Sequence, residues 1–123
     1  FYINFIKGAP ARMKNHHKGR FFEFCARMLL RLKGCKILAN NHKTVGVEAD
    51  ILALRGRKLL LVEVKYRQTR EKAHAALHPK QRERLQRQAY ELSKRYPEVD
   101  EVRLDVVLFF SHAPFIEYLE NPL

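Results

Sequence analysis

The sequence predicts a single α/β domain in which a small mixed β-sheet is flanked by helices. Two segments have helical periodicity, and five shorter segments are rich in aliphatic or aromatic residues; their order is helix, three strands, helix, two strands. A length of 123 residues fits one domain. We therefore expect a flexible N-terminal extension over residues 1–18 and one domain over residues 19–123.

The first predicted helix, residues 19–33, is apolar around most of its circumference. Its polar side chains form one narrow stripe, which consists of Arg20, Glu23, Arg27 and Arg31. Gly34 should end this helix, because glycine readily adopts the left-handed conformation that follows many helices. A short strand over residues 36–40 is expected next, and then a loop that contains His42, Lys43 and Gly46.

Two aliphatic segments, residues 47–54 and 58–66, predict a β-hairpin whose turn is centred between Gly56 and Arg57. Side chains alternate between the two faces of a strand. One face of the hairpin is then wholly apolar and consists of Ala49, Ile51, Ala53, Leu60, Val62 and Val64. Near the turn, the other face carries Leu52, Leu54, Leu59 and Leu61.

The second half of the chain predicts a helix and two more strands. Residues 79–95 have helical spacing of apolar side chains, and Pro97 should stop the helix. Residues 102–110 form a long apolar run that is typical of a strand buried on both faces. Residues 115–119 predict an edge strand, and the polar connection over residues 68–78 is expected to be flexible.

The charge is unevenly distributed along the chain. The formal net charge is +11, and every Lys and Arg except Arg103 precedes Pro97. Such a basic region favours a polyphosphate partner over an acidic membrane surface, although a solubilising face is the alternative. No apolar run approaches the roughly 20 residues that span a bilayer, so the sequence predicts no membrane-spanning segment.

Four ionisable residues occupy the open end of the predicted hairpin. Its register places Asp50 opposite Glu63, and Glu48 opposite Lys65, on one face. Two carboxylates so close repel each other unless one is protonated or a cation lies between them. Mg²⁺ would suit Asp50, Glu63 and a nearby backbone carbonyl, that of Val64, while Lys65 could hold the attacking water or stabilise transition-state charge. The alternative is a strand end with a Glu48–Lys65 salt bridge and an exposed Asp50.

The sequence resembles the YraN-like family of bacterial proteins, within the PD-(D/E)XK nuclease superfamily. Four segments carry the resemblance: Gly19-Arg20-Phe21-Phe22-Glu23, Gly46-Val47-Glu48-Ala49-Asp50, Val62-Glu63-Val64-Lys65-Tyr66-Arg67 and Leu104-Asp105-Val106-Val107. Val47, Ala49 and Leu104 depart from the family pattern, but none of these departures removes a charged group. The resemblance implies a restriction-endonuclease-like core, Mg²⁺ or Mn²⁺ binding and phosphodiester hydrolysis.

The resemblance also adds candidate residues outside the hairpin. Glu23 matches an acidic position near the metal in many nucleases of the superfamily, with an ion pair to Arg27 as the alternative. Gln81 matches a glutamine that could contact substrate, with surface solvation as the alternative. Basic side chains nearby are candidates for phosphate contacts and not for base-specific ones, namely Arg67, Arg70, Lys80, Arg84 and Arg87.

The hairpin carboxylates and the resemblance together predict a Mg²⁺-dependent endonuclease. DNA is favoured over RNA as its substrate, and branched or damaged DNA over a specific sequence, because no residues indicate base-specific reading. Glu48 would support the metal ligands from a second layer. A non-catalytic nucleic-acid binder and a subunit of a larger assembly are the competing hypotheses. The small surface of the chain favours a homodimer on the substrate. Cys25 and Cys35 match no zinc or redox spacing, which favours the reducing cytoplasm.

Overall fold

Helix α1 follows from the spacing of its apolar residues. The computed structural model describes residues 15–44, 47–77 and 80–122, and α1 spans Asn15–Leu32. Phe22, Ala26 and Leu30 recur every four residues and are all buried. Gly34, with a φ of 90°, follows the helix, and the Cys35 N–H donates to the Leu30 carbonyl at 2.9 Å. Gly34 thus ends the helix as predicted.

Five strands and two further helices follow α1 along the chain. Their bounds are β1 Lys36–Thr44, β2 Val47–Arg55, β3 Lys58–Arg67, α2 Arg70–Ala75, α3 Lys80–Arg95, β4 Glu101–Phe110 and β5 Ile116–Glu120. The strands form one sheet in the order β1-β2-β3-β4-β5. Neighbouring strands are antiparallel except β3 and β4, which are parallel and are joined through α2 and α3.

Each face of the sheet is covered by a separate hydrophobic cluster. On one face, α1 packs through Phe22, Ala26 and Leu30 against sheet residues that include Ile51, Ala53, Leu60, Val62, Val107 and Phe109. On the other face, Ala73 of α2 and Leu92 of α3 pack against Leu52, Leu59, Leu61, Leu104, Val106, Leu108 and Phe110. The three layers leave β3 and β4 buried on both sides, as the apolar run in β4 predicts.

This mixed sheet flanked by helices confirms the predicted fold class and is consistent with a restriction-endonuclease-like core. The hairpin turn also has the expected register, since Arg55 pairs with Lys58 and Ile51 with Val62. Gly56 has a φ of 61°, which suits the tight turn. None of the helices in the described ranges is both long and apolar enough to cross a bilayer.

Three parts of the sequence-based assignment are wrong. Residues 15–18, expected in the flexible extension, belong to helix α1, which begins at Asn15. His42 and Lys43 belong to strand β1 and not to a loop, because β1 pairs with β2 as far as Thr44. The connection over residues 68–78 contains helix α2, whose first turn is capped by the Thr69 side chain accepting from the Lys72 N–H at 3.2 Å. A helix of six residues is too short for periodicity to reveal. Gly46, His78 and residues 1–14 lie outside the described ranges.

A buried ionic cluster joins β4 to β5. The Asp105 carboxylate is fully buried and accepts hydrogen bonds from Arg103 Nε at 2.9 Å, Arg103 Nη2 at 3.0 Å and the Asn121 N–H at 3.2 Å. The Tyr118 hydroxyl donates to the same carboxylate. Burial, and then the contact with Asp105, raises the pKa of Tyr118. Asp105 is therefore one half of a buried ion pair with Arg103.

We expect Asp105→Ala to lower the free energy of unfolding by about 3–5 kcal/mol, because it leaves the Arg103 guanidinium without its carboxylate in a buried site. Tyr118→Phe should cost about 1.5–3 kcal/mol, the value of a lost hydrogen bond to a charged group. Urea denaturation measures both. Glu120→Gln is the control, because Glu120 is half exposed and 3.9 Å from Arg103; a cost equal to that of Asp105→Ala would contradict this account.

Candidate metal centre

Strands β2 and β3 stop pairing through their backbones next to Asp50. Their described register ends at Ile51 and Val62, and beyond this pair Asp50 Oδ2 accepts a hydrogen bond from the Val64 N–H at 2.8 Å. A side-chain oxygen thus satisfies an N–H that a backbone carbonyl would otherwise satisfy. Asp50 is held against the backbone of β3 and does not form a regular cross-strand pair with Glu63.

The alternation of side chains along β2 changes at the same place. Ile51 and Ala53 belong to the cluster beneath α1, but Ala49 belongs to the cluster on the opposite face. The single apolar face expected for the hairpin is therefore wrong at Ala49. The other members of that face lie where predicted, with Val64 partly buried against the cluster beneath α1.

Glu23 approaches Asp50 from helix α1. Burial, and then the negative charge of Asp50, raises the pKa of Glu23, whereas a hydrogen bond from the Asn41 side chain and the charges of Arg27 and Arg20 lower it. Asn41 has a φ of 50° in strand β1, a conformation that asparagine tolerates better than most residues. Asp50 and Arg27 thus both act on the Glu23 carboxylate, and its role near a metal stays a prediction.

Glu63 faces the opposite layer. Its side chain is only 11% exposed and contacts two cations: Lys65 Nζ lies 3.7 Å from Glu63 Oε2, and Arg84 Nη2 donates to Glu63 Oε1. Lys65 follows Glu63 by two residues on β3, so strand alternation directs both side chains to the same face. Arg84 reaches this face from α3.

The remaining candidates are distributed around this centre. Arg67 ends β3 and is exposed, Arg70 Nη2 lies 3.0 Å from Glu117 Oε2, and Arg87 lines an exposed groove on α3 with Tyr90. The side chains of Glu48, Lys80 and Gln81 lie outside the described ones. The site that can be built therefore consists of Asp50, Glu63 and Lys65, with Glu23 and Arg84 on either side.

The oxygen donors of this centre fit a hard divalent cation. Asp50 on β2 accepts from the Val64 N–H, and Glu63 is the residue before Val64 on β3; the Val64 carbonyl is a third candidate. Mg²⁺ commonly binds one or two carboxylates and keeps several waters. A cation would also relieve the repulsion that Asp50 exerts on Glu23. Among the described residues, no three His, Cys, Asp or Glu side chains form a metal-binding group. A cation here would therefore depend on two carboxylates, Asp50 and Glu63, together with the Val64 carbonyl and water.

Two interactions near the centre could not be anticipated from the sequence. The contact of Arg84 with Glu63 joins residues 21 positions apart, and nothing in the helical pattern singles out Arg84 among its basic neighbours. Glu117 accepts from Arg70 and lies 2.6 Å from His74 Nε2, which fixes α2 to β5. Glu117 lies in the same row of the sheet as Lys65, with Leu108 between them.

The fold defines the class: a small α/β protein with a five-stranded mixed sheet flanked by helices, consistent with a nuclease-like fold. The chain belongs to the uncharacterised protein family UPF0102, whose model matches residues 22–109. It is 43% identical over 105 residues to a UPF0102 protein of Parvibaculum lavamentivorans, covering 83% of this chain and 79% of the relative. The resemblance to the YraN-like family is thereby confirmed.

Two further relatives have the same family name. A UPF0102 protein of Caulobacter vibrioides is 43% identical over 98 residues, or 78% of each chain. UPF0102 protein NMC2069 of Neisseria meningitidis is 34% identical over 110 residues, which cover 87% of this chain and 95% of the relative. The region that matches the family model includes the whole hairpin, with Asp50 and Glu63.

Without divalent cations, Glu23→Gln should stabilise the protein increasingly as the pH rises. The folded state raises the pKa of Glu23 above its ordinary value of 4.5, so the stability that its neutral form provides is present below this value and is lost as the pH rises through the folded-state pKa. Glutamine stays neutral. We expect a gain below about 1 kcal/mol at pH 7 and none at low pH, measured by urea denaturation in EDTA.

The control for this pH series is Glu83→Gln, which removes an exposed carboxylate from α3. The gain in free energy of unfolding on Glu23→Gln should grow from low pH to pH 7. A gain that shrinks over this range would contradict the raised pKa that burial and Asp50 give to Glu23.

Proposed function

We propose that this protein is a divalent-metal-dependent nuclease that hydrolyses phosphodiester bonds in DNA. The observation that carries the proposal is the hydrogen bond from the Val64 N–H to the Asp50 carboxylate, at the residue that follows Glu63 on β3, together with Lys65 Nζ 3.7 Å from Glu63 Oε2. Two carboxylates and an ammonium group at the end of a buried hairpin supply cation ligands and a positive group for the reacting phosphate.

Each of these residues has a separate role in the proposed reaction. Asp50, Glu63 and the Val64 carbonyl would hold Mg²⁺ or Mn²⁺, which when bound neutralises the phosphate and lowers the pKa of a bound water. Lys65, with a side chain 20% exposed, is accessible enough to hold the attacking water or to donate to the phosphate oxygen that gains charge. Glu23 would support Asp50 from α1.

The charge of the chain supports DNA as the substrate. The formal net charge is +11, and Arg67 and Arg87 are exposed on elements that adjoin Glu63 and Lys65. These side chains suit the phosphate backbone and offer no array for reading bases, which favours branched or damaged DNA over a specific sequence. A homodimer would enlarge the binding surface. Cys25 and Cys35 are both free thiols, which supports a place in the cytoplasm.

One observation favours the non-catalytic alternative. Lys65 and Arg84 both contact Glu63, so the carboxylate is compensated by cationic side chains without any metal. A protein that binds nucleic acid through its basic surface alone would need no metal at Glu63, because Lys65 and Arg84 already balance its charge. Metal-dependent cleavage is therefore the property that separates the two functions.

We expect the wild type to cleave at least one of supercoiled, linear or four-way-junction DNA in Mg²⁺ or Mn²⁺, and none of them in EDTA. Asp50→Asn, Glu63→Gln and Lys65→Ala should each lower the rate by at least about 100-fold, because each removes a ligand or a charge from the reacting phosphate. Gel assays of cleaved product measure this.

Glu98→Gln is the control for these variants, because Glu98 is an exposed carboxylate in the turn after α3. DNA binding without metal-dependent cleavage by the wild type on all three substrates would favour the non-catalytic binder. Cleavage that persists in Asp50→Asn and Lys65→Ala would show that the reaction occurs elsewhere.

Arg67→Gln should weaken DNA binding uniformly across sequences and reduce the slope of log affinity against log salt by about one, as expected for the loss of one phosphate contact. Fluorescence anisotropy at several salt concentrations in EDTA measures the slope. The matched control is Lys36→Gln, an exposed cation at the turn end of the sheet, where Lys36 pairs with Leu54. Equal changes in both slopes would mean that the basic surface has no preferred face.

A further inference from the structure

Of Lys65 and Arg84, the two described cations that contact Glu63, Arg84 extends further into solvent. Its side chain is 45% exposed, whereas those of Lys65 and Glu63 are 20% and 11% exposed. Lys65 is fixed by its place on β3, two residues from Glu63. Arg84 instead reaches the carboxylate from α3, at the end of a long side chain. Of the two cations, Arg84 can leave with the smaller loss of packing.

The contact of Arg84 occupies an oxygen that a metal ion would use. Arg84 Nη2 donates to Glu63 Oε1, while Lys65 contacts Oε2. A divalent ion bound to Glu63 must therefore displace one of the two cations or lie close to both, with the repulsion of like charges. Displacement of Arg84 removes this conflict and leaves Lys65 in place for the reacting phosphate.

The displaced guanidinium would find an equivalent partner in the substrate. Arginine presents a planar set of N–H donors that fits phosphate oxygens as well as carboxylate oxygens. A phosphate held at the metal would lie beside Glu63, which Arg84 already reaches from α3. Exchange of Arg84 from carboxylate to phosphate keeps the guanidinium paired in both states.

We propose that Arg84 competes with the metal for Glu63 in the free protein and moves onto a substrate phosphate when the cation binds. This inference rests on the proposed nuclease function and adds a coupling between metal and substrate. Because such coupling is reciprocal, the nucleic acid should strengthen metal binding by the factor by which metal strengthens nucleic-acid binding. Arg84 thus disfavours metal loading until a phosphodiester is present.

The first test measures metal affinity without nucleic acid, by calorimetric titration of Mn²⁺ into wild type, Arg84→Gln and Arg87→Gln. Arg84→Gln should bind Mn²⁺ about five- to tenfold more tightly, because the competing side chain is gone. Arg87 is the matched control: it lies one turn away on α3 and lines the exposed groove with Tyr90. Its replacement should change the affinity less than about twofold, the effect of a nearby charge alone.

The second test measures the other half of the exchange, by anisotropy with a short DNA duplex in Ca²⁺ or EDTA. Arg84→Gln should reduce the salt slope by about one in Ca²⁺, where Arg84 contacts phosphate, and leave it unchanged in EDTA, where Arg84 stays on Glu63. A circular-dichroism melt confirms that each variant is folded. Arg84→Lys, which keeps the charge but lacks the planar donors, provides a second variant and should show an intermediate change in slope.

The outcomes separate this inference from the function on which it rests. Mn²⁺ binding by the wild type that is lost in Glu63→Ala, but unchanged or weaker in Arg84→Gln, would overturn the exchange and leave the metal centre intact. Absence of Mn²⁺ binding in both wild type and Arg84→Gln would overturn both. Mn²⁺ binding by Arg84→Gln, with none by the wild type, would support the exchange in its strongest form. A change in salt slope on Arg84→Gln that is the same in Ca²⁺ as in EDTA would contradict it.

Discussion

The candidate site depends on one hydrogen bond, from the Val64 N–H to the Asp50 carboxylate. A regular hairpin would satisfy this N–H with a backbone carbonyl and would leave Asp50 free to alternate outward. Because the carboxylate takes the place of the carbonyl, Asp50 is turned toward the backbone of β3 and Ala49 is turned to the other face. The irregularity thus holds an acidic group against the backbone of β3 at Val64, the residue between Glu63 and Lys65.

The layers of the fold explain why charged groups can meet in this place. Toward the turn, both faces of the hairpin are covered by apolar clusters, and an unpaired carboxylate there would be costly to bury. At the open end, α1 supplies Glu23 on one side of the sheet and α3 supplies Arg84 on the other. Asp50 and Glu63 therefore each have a charged neighbour from the layer that they face. The hairpin end is the boundary of the core.

The sequence is sufficient to predict those parts of the site that depend on local geometry. Gly56 sets the turn, and with it the register as far as Ile51 and Val62, and alternation along β3 places Glu63 and Lys65 on one face. It does not predict the turning of Asp50, which depends on where backbone pairing ends. Nor does it predict the Arg84 contact, because several basic residues on α3 have similar spacing and only the packing of α3 on the sheet selects one.

Two carboxylates of this protein show how the surroundings of an acidic residue decide its use. Asp105 is fully buried. Its carboxylate accepts hydrogen bonds from Arg103, Tyr118 and a backbone N–H, so its oxygens have no capacity left for a ligand. Glu63 is slightly exposed, and one of the cations that contact it, Arg84, has a long side chain that is 45% exposed. Both carboxylates are compensated within the chain. Only for Glu63 can an incoming cation and its phosphate replace the compensation without leaving a buried charge unpaired, and this difference makes Glu63 suitable for exchange and Asp105 suitable for stability.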